Sequence, residues 1–304
     1  MKAMEKISLT KDFGLSRLVH GHWRIVEWNF TALELLELTE QTFELGITSY
    51  DTADIYGNYQ CEHLFGQALR LKKSLRKEIE IITKCGIKMM SDKYPERTVG
   101  HYDYSYEYIV ASVEQSLKNL GTDYIDLLLL HRPSPFFNPE EAARAFRHLK
   151  ERGKVLHFGV SNFNIQQFET LNAFTDEPLV TNQVEISPYC LEHFENDNIE
   201  FFLRKGIKPM AWSPLAGGEL LLHPSDDKGR RTLRELREIQ EELNVDSVDK
   251  IIYAWLYKHP VTMLPITGTG KINHIRSAVA ALDIELSLEQ WFRIFIASRG
   301  EHMP

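Results

Sequence analysis

The stretch "SYDTADIYGNYQCEHLFG" (Ser49 to Gly66) sets Asp51 and Tyr56 just after an apolar approach and just before a helix. A tyrosine phenol has a pKa of about 10, so it exchanges protons poorly at neutral pH unless a charged group stands beside it. Two other apolar runs end in groups that could supply help: "IITKCG" ends at Lys84 and "IDLLLLHRP" at His131. Taken singly, each has a bland structural account. A lysine after a strand is a solvated end, and a lone histidine is a satisfied structural residue. Together, four titratable groups at the ends of consecutive strands would meet at one mouth, the pattern expected of an acid–base site.

Convergence requires elements that bring those ends together. Short runs rich in Ile, Val and Leu predict strands over Arg17–Trp23, Thr48–Thr52, Ile79–Cys85, Ile125–His131, Leu156–Ser161, Thr181–Ile186, Lys208–Trp212 and Thr262–Ile266. Such runs suit a parallel sheet covered on both faces. Helical periodicity predicts helices over Thr31–Leu45, Glu62–Leu71, Tyr106–Leu120, Pro139–Glu151, Ile165–Ala173, Arg231–Leu243, Ser247–Lys258 and Lys271–Leu282. Glycine closes several of them, as in "FELGITSY" and "SLKNLGTDYIDL". Eight strands alternating with helices predict a (β/α)8 TIM barrel, with residues 1–304 as a single domain. "KISLTKDFGLSRL" predicts an N-terminal hairpin and "LSLEQWFRIFIASRG" an extra C-terminal helix. A two-domain doubly wound chain is the alternative.

"DTADIYG", "IITKCG", "SLKNLGTDYIDLLLLHRP" and "FGVSNF", in this order, resemble the aldo-keto reductase superfamily, over nearly the whole chain. The resemblance implies a barrel that binds NADPH without a Rossmann domain and reduces aldehyde or ketone carbonyls to alcohols. It implies Tyr56 as the acid, Lys84 and Asp51 as its activating pair, and His131 as the partner on the carbonyl side. These roles have chemical reasons. Hydride arriving at a carbonyl carbon leaves negative charge on oxygen, which needs a proton and nearby donors. A lysine ammonium favours the phenolate and so lowers the phenol's pKa.

No strand is followed by G-x-G-x-x-G, and "GTGK" (Gly268, Thr269, Gly270, Lys271) is no P-loop, because Pro265 and Ile272 occupy its other required positions. It does offer backbone donors at a helix start, where a phosphate is stabilised. By resemblance, Ser161, Asn162 and Gln183 hold the nicotinamide carboxamide and Trp212 stacks on the ring. Ser213, Leu215 and Gly217 line the pyrophosphate path, Lys271 and Arg276 lie near the adenosine 2′-phosphate, and Gly21, His22 and Trp23 form the first loop. Three positions depart from the pattern: Trp212 replaces a commoner tyrosine, His274 an expected arginine, and Ala278 a polar adenine contact. NADPH is expected ahead of NADH.

Other readings stay open. "HGHW" offers His20 and His22 as imidazole ligands, as in metal-dependent barrel hydrolases, but "TMLPITGTG" lacks the aspartate that class needs. An NADPH-binding regulatory or interaction module would keep the same motifs; the full set of four catalytic types favours an enzyme with no metal. The segment "KMMSDKYPERTVGHYDYSYE" is long for its position and reads as a lid, a pocket wall or a surface loop. "DDKGRR" reads as a loop that either closes over the pyrophosphate or is simply solvated.

The chain has 304 residues, 43% of them hydrophobic and 26% charged, with a net charge of −8. That balance, with no basic run, argues against a nucleic-acid partner; the small-molecule carbonyl substrate is what the resemblance implies. No apolar run reaches the roughly 20 residues of a membrane span. "MKAMEKISLT" lacks the apolar core of a signal peptide, and three scattered cysteines fit a reducing cytoplasm. Oligomeric state and substrate identity are not encoded in any motif.

Overall fold

A computed structural model describes residues 4–222 and 224–302; Met1–Ala3 of the N-terminal stretch lie outside the described residues. Eight parallel strands close into a barrel: β1 (Val19–Gly21), β2 (Ser49–Asp51), β3 (Glu80–Cys85), β4 (Ile125–Leu130), β5 (Val155–Ser161), β6 (Asn182–Glu185), β7 (Met210–Trp212) and β8 (Leu264–Thr267), paired in chain order. Each overlaps a strand expected from the apolar runs. All six residues of β4, "IDLLLL", are buried, as a strand covered on both faces requires. The expected N-terminal hairpin pairs Lys6–Ser8 with Gly14–Ser16.

The main helices are α1 (Ala32–Glu44), α2 (Cys61–Leu71), α3 (Tyr106–Leu120), α4 (Pro139–Glu151), α5 (Ile165–Asn172), α6 (Asn198–Lys205), α7 (Asp227–Glu242), α8 (Val248–Lys258), α9 (Ile272–Ala280) and α10 (Leu288–Arg299). Their starts follow local chemistry. Thr31 and Glu34 form a reciprocal capping box on α1, as do Ser287 and Gln290 on α10. One helix begins earlier than its sequence period indicates. "DDKGRR" is not a loop: the Asp226 carboxylate accepts from Gly229 N at 2.7 Å, and Asp227 in the first turn pairs with Arg230 at 2.6 Å. This cap extends α7 by four residues before its apolar stripe begins. Among the described residues no helix is long and apolar enough to cross a membrane.

Packing divides the chain into two compact units. The first comprises residues 1–182 with 268–270, and the second 183–267 with 271–304. In the first, Tyr50, Phe65, Ile81 and Leu120 centre a core formed by β2, β3 and helices α1 to α3. The buried Tyr50 hydroxyl bonds Thr42 at 2.9 Å and Thr39 O at 3.0 Å, which fixes α1 against β2. In the second, the rings of Trp255 and Trp291 stack 4.9 Å apart, and each indole N–H donates to the other residue's carbonyl at 3.1 Å. Arg293 of α10 reaches Glu235 and Glu242 of α7, both at 2.6 Å. These bonds satisfy both buried indoles and tie α8 to α10 and α10 to α7.

Candidate active site

The first unit brings Asp51, Tyr56, Lys84 and His131 together. β2 and β3 pair in parallel, with Asp51 opposite Ile82, so Lys84 lies two residues past the end of β2. Its side chain is fully buried and returns to Asp51 Oδ2 at 2.7 Å and to Thr52 O at 2.8 Å. Its ammonium lies 4.7 Å from the centre of the Tyr56 ring. On the other side, the His131 ring meets Tyr56 edge-on, with centroids 5.5 Å apart. His131 N donates to Cys85 O at 2.9 Å, so the histidine continues the β3–β4 ladder.

Tyr56 opens a turn that leads into α2, and Tyr104 braces the far side of the site. The Tyr104 hydroxyl donates to Arg132 O and accepts from Arg132 N at 3.1 Å, which clamps the segment after His131. Its ring fills the space above Gly86, where a Cβ would meet it at 1.9 Å; only glycine fits there.

The electrostatics depart from expectation at one point. Lys84 does draw the Tyr56 phenol downward, yet burial outweighs it and holds the phenol above its ordinary value. Position in the fold decides this, and it is not visible in the sequence. Burial opposes charge on Lys84 too, but Asp51 and Tyr56 overcome it and hold the ammonium above the usual lysine value. His131 is pushed well below 6.5 by burial, then by the charges of Lys84 and Arg132, so its imidazole is neutral at neutral pH. Sequence reasoning misses Arg132. Its position beside His131 in "HRP" is the available signal, and its charge acts on both His131 and Tyr56.

The residues expected around a cofactor fall into both units. In the first, Asn162 has a left-handed backbone (φ 61°), and its amide donates to the buried Ser161 hydroxyl at 2.7 Å. The His20 imidazole of β1 holds the "GTG" turn, its Nε2 lying 3.0 Å from Thr269 O. A Cβ on Gly268 would sit 3.9 Å from Gly21 O, and one on Gly270 would strike the Trp28 ring at 2.8 Å. Trp23 is 58% exposed with the Arg24 guanidinium over its ring, whereas His22 is wholly buried between Phe65 and Tyr50. His20 and His22 thus sit in an aromatic cluster, and no group of three His, Cys, Asp or Glu positioned for a metal ion occurs among the described residues.

In the second unit, Gln183 is buried in β6 and Trp212 closes β7. Ser213, Ala216, Gly217 and Gly218 follow with positive φ, a tight turn that contains the expected Ser213, Leu215 and Gly217. Lys271 is the N-cap of α9 and makes no side-chain capping bond, so the first-turn amides are not capped by it. One turn on, Arg276 Nη1 donates to Asn273 Oδ1 at 3.1 Å. Ala278, at the position of the expected adenine contact, is fully buried.

Comparison with known proteins identifies the family. Residues 17–298 match the model of the aldo/keto reductase family. The chain is 49% identical to the uncharacterized oxidoreductase YcsN of Bacillus subtilis, across 99% of this chain and 100% of that one. It is 38% identical to a 6-dehydroglucose reductase of Agrobacterium fabrum, again across 99% and 100%. A solved thermostable aldo-keto reductase, Tm1743 in complex with the inhibitor epalrestat, superposes with a TM-score of 0.79 at 26% identity, covering 97% of this chain and 100% of that one. The chain is an oxidoreductase and belongs to the aldo/keto reductase family.

Proposed function

We propose that this enzyme reduces aldehyde or ketone carbonyls to alcohols with NADPH, and that Tyr56 is the proton donor. The observation that carries this reading is the buried Lys84 ammonium, fixed by Asp51 at 2.7 Å and facing the Tyr56 ring at 4.7 Å. Enzymes of this family generally use NAD(P)H. The start of α9, with Lys271 at its N-cap and Arg276 one turn on, suits a phosphate, and the turn after Trp212 offers backbone donors, so the residues present fit such a nucleotide. When bound, NADPH supplies the hydride.

The chain's own residues do the remainder. The neutral His131 ring and the Tyr56 hydroxyl bind and orient the carbonyl oxygen. As negative charge develops on that oxygen, Tyr56 transfers its proton to it, and Lys84 stabilises the phenolate left behind. Asp51 holds Lys84 charged and aimed, and solvent returns the proton to Tyr56 after the alcohol leaves. Ser161, Asn162, Gln183 and Trp212 hold the nicotinamide end; Lys271 and Arg276 favour NADPH over NADH.

The test is Tyr56→Phe, which removes one oxygen and little volume. Stopped-flow reduction should fall by at least about 10²-fold, the lower end of what a general acid contributes. NADPH affinity, followed by fluorescence titration, should barely change. Simple aldehydes, ketones and quinones form the substrate panel, and 6-dehydroglucose joins them because of the name of the Agrobacterium fabrum relative. Unchanged reduction would remove Tyr56 as the acid. Tight NADPH binding with no reduction of any substrate by the native protein would favour a binding module.

A further inference from the structure

The turn that carries Tyr56 is unusual. Gly57, Asn58 and Tyr59 all adopt left-handed backbone, with φ of 56°, 54° and 62°. Glycine accepts that conformation and asparagine tolerates it, but a tyrosine there is strained and persists only where its surroundings hold it. The long segment after β3 does the holding. Asn58 donates to Asp92 Oδ1 at 2.7 Å and accepts from the Ser91 hydroxyl at 2.6 Å. The Tyr59 hydroxyl accepts two bonds, from Met89 N at 3.1 Å and from Arg97 Nη1 at 2.7 Å.

Arg97 is committed to this contact. Its side chain is only 11% exposed, and the carboxylate of the exposed Glu96 stands 4.0 Å from it. Its guanidinium carbon lies over the Tyr94 ring, 3.6 Å from the centroid, while Tyr94 meets Tyr59 edge-on at 4.9 Å. The same nitrogen that reaches Tyr59 also donates to Met89 O at 3.3 Å. A buried cation is costly unless it is well bonded, and the shorter of the two bonds from this nitrogen goes to the phenol hydroxyl three residues beyond the proposed acid.

We propose that Arg97, acting through Tyr59, is a positioning residue for Tyr56. The hydroxyl of Tyr59, gripped by Arg97 and Met89, locks the left-handed turn that aims the Tyr56 phenol between Lys84 and His131. The segment after β3 is then a strut of the active site and not a free lid. This inference rests on the reading of Tyr56 as the acid.

The test is a double-mutant cycle, because groups that act through one another lose their additivity. Arg97→Met, Arg97→Lys and Tyr59→Phe are made in the native background and in Tyr56→Phe. In the native background, Arg97→Met and Tyr59→Phe should lower kcat about tenfold or more, with carbonyl KM, NADPH Kd and thermal midpoint nearly unchanged. Arg97→Lys, which keeps a charged donor, should recover most of the loss. In the Tyr56→Phe background, the same changes should alter the residual rate less than twofold. Native kcat in a folded Arg97→Met protein overturns the proposal. So does a full tenfold loss that persists without the Tyr56 hydroxyl, or a loss that tracks NADPH Kd or the thermal midpoint. Should Arg97→Met fail to fold, Tyr59→Phe, smaller by one oxygen, carries the same cycle to the same outcomes. Native turnover in Tyr56→Phe alone would instead strike the acid assignment; a slow Tyr56→Phe with an unimpaired Arg97→Met strikes only the strut.

Discussion

Lys84→Met isolates the one cation on which the proposed chemistry depends. At an effective dielectric constant near 20, an ammonium 4.7 Å from the Tyr56 ring centre stabilises a phenolate charge there by about 3.5 kcal/mol. At about 1.4 kcal/mol per decade, its loss should slow carbonyl reduction by about 10²–10³-fold for every substrate. Stability falls as well, because the nearly buried Asp51 carboxylate loses its partner; such broken pairs cost about 3–5 kcal/mol. Lys84 has a raised folded pKa, so its contribution to stability is complete below the ordinary lysine value of 10.5 and disappears as pH rises through the folded value. An assay near pH 7 therefore sees the whole effect. Lys84→Met with Asp51→Asn should recover most of the stability and none of the rate. Stopped-flow turnover and thermal unfolding on the same two proteins measure the two quantities. A folded Lys84→Met enzyme with native turnover refutes the reasoning outright.

Two further predictions concern the cofactor and acid stability. Replacing Lys271 and Arg276 together by alanine should weaken NADPH about 10- to 100-fold, from lost charge-assisted bonds of about 1.5–3 kcal/mol, and NADH far less; equal losses would show that neither reads the 2′-phosphate. The second rests on His22, whose pKa burial depresses well below 6.5, with His20 adding to the effect. Its neutral, folded form is favoured above about pH 6.5, and that stability is lost as pH falls, because the unfolded chain binds a proton that the folded chain refuses. Each such histidine steepens the loss by about 1.4 kcal/mol per pH unit, so His22→Phe should flatten the stability profile between pH 6.5 and 5 by that amount. Parallel denaturation profiles for the two proteins would contradict it.

The barrel is legible because its strands are buried on both faces and announce themselves as unbroken apolar runs, β4 most plainly. Strand ends are less so. The apolar run places Arg17 in β1, but its N–H bonds Glu5 O at 3.2 Å, a contact to the N-terminal hairpin that no local pattern encodes. The start of α7 is hidden for a related reason. "DDKGRR" lacks apolar period, and Asp226 is held by its cap and by the Tyr189 hydroxyl at 2.7 Å, 37 residues away. Within the site, the four titratable types and their order are readable from motifs. The clasp of Arg97 on Tyr59 spans 38 residues and leaves no mark in either motif. Burial is the other hidden quantity. "HGHW" presents two histidines in an apparently polar stretch, yet the fold seats His22 in contact with Phe65, with ring centroids 4.3 Å apart.

Burial also changes how the proposed acid works. Lys84 alone would have made Tyr56 an easily ionised phenol, which suits a base. In the folded chain the phenol stays above its ordinary pKa and His131 stays neutral. A donor in carbonyl reduction must keep its proton until charge forms on the substrate oxygen. The buried phenol does so, and the attraction between Lys84 and the phenolate is realised only as the proton leaves. An interaction that is stronger in the transition state than in the ground state raises kcat without tightening substrate binding. On the proposed reading, the burial that opposes Lys84 at rest is what reserves its charge for the reacting complex, and Asp51 keeps that charge aimed in the meantime.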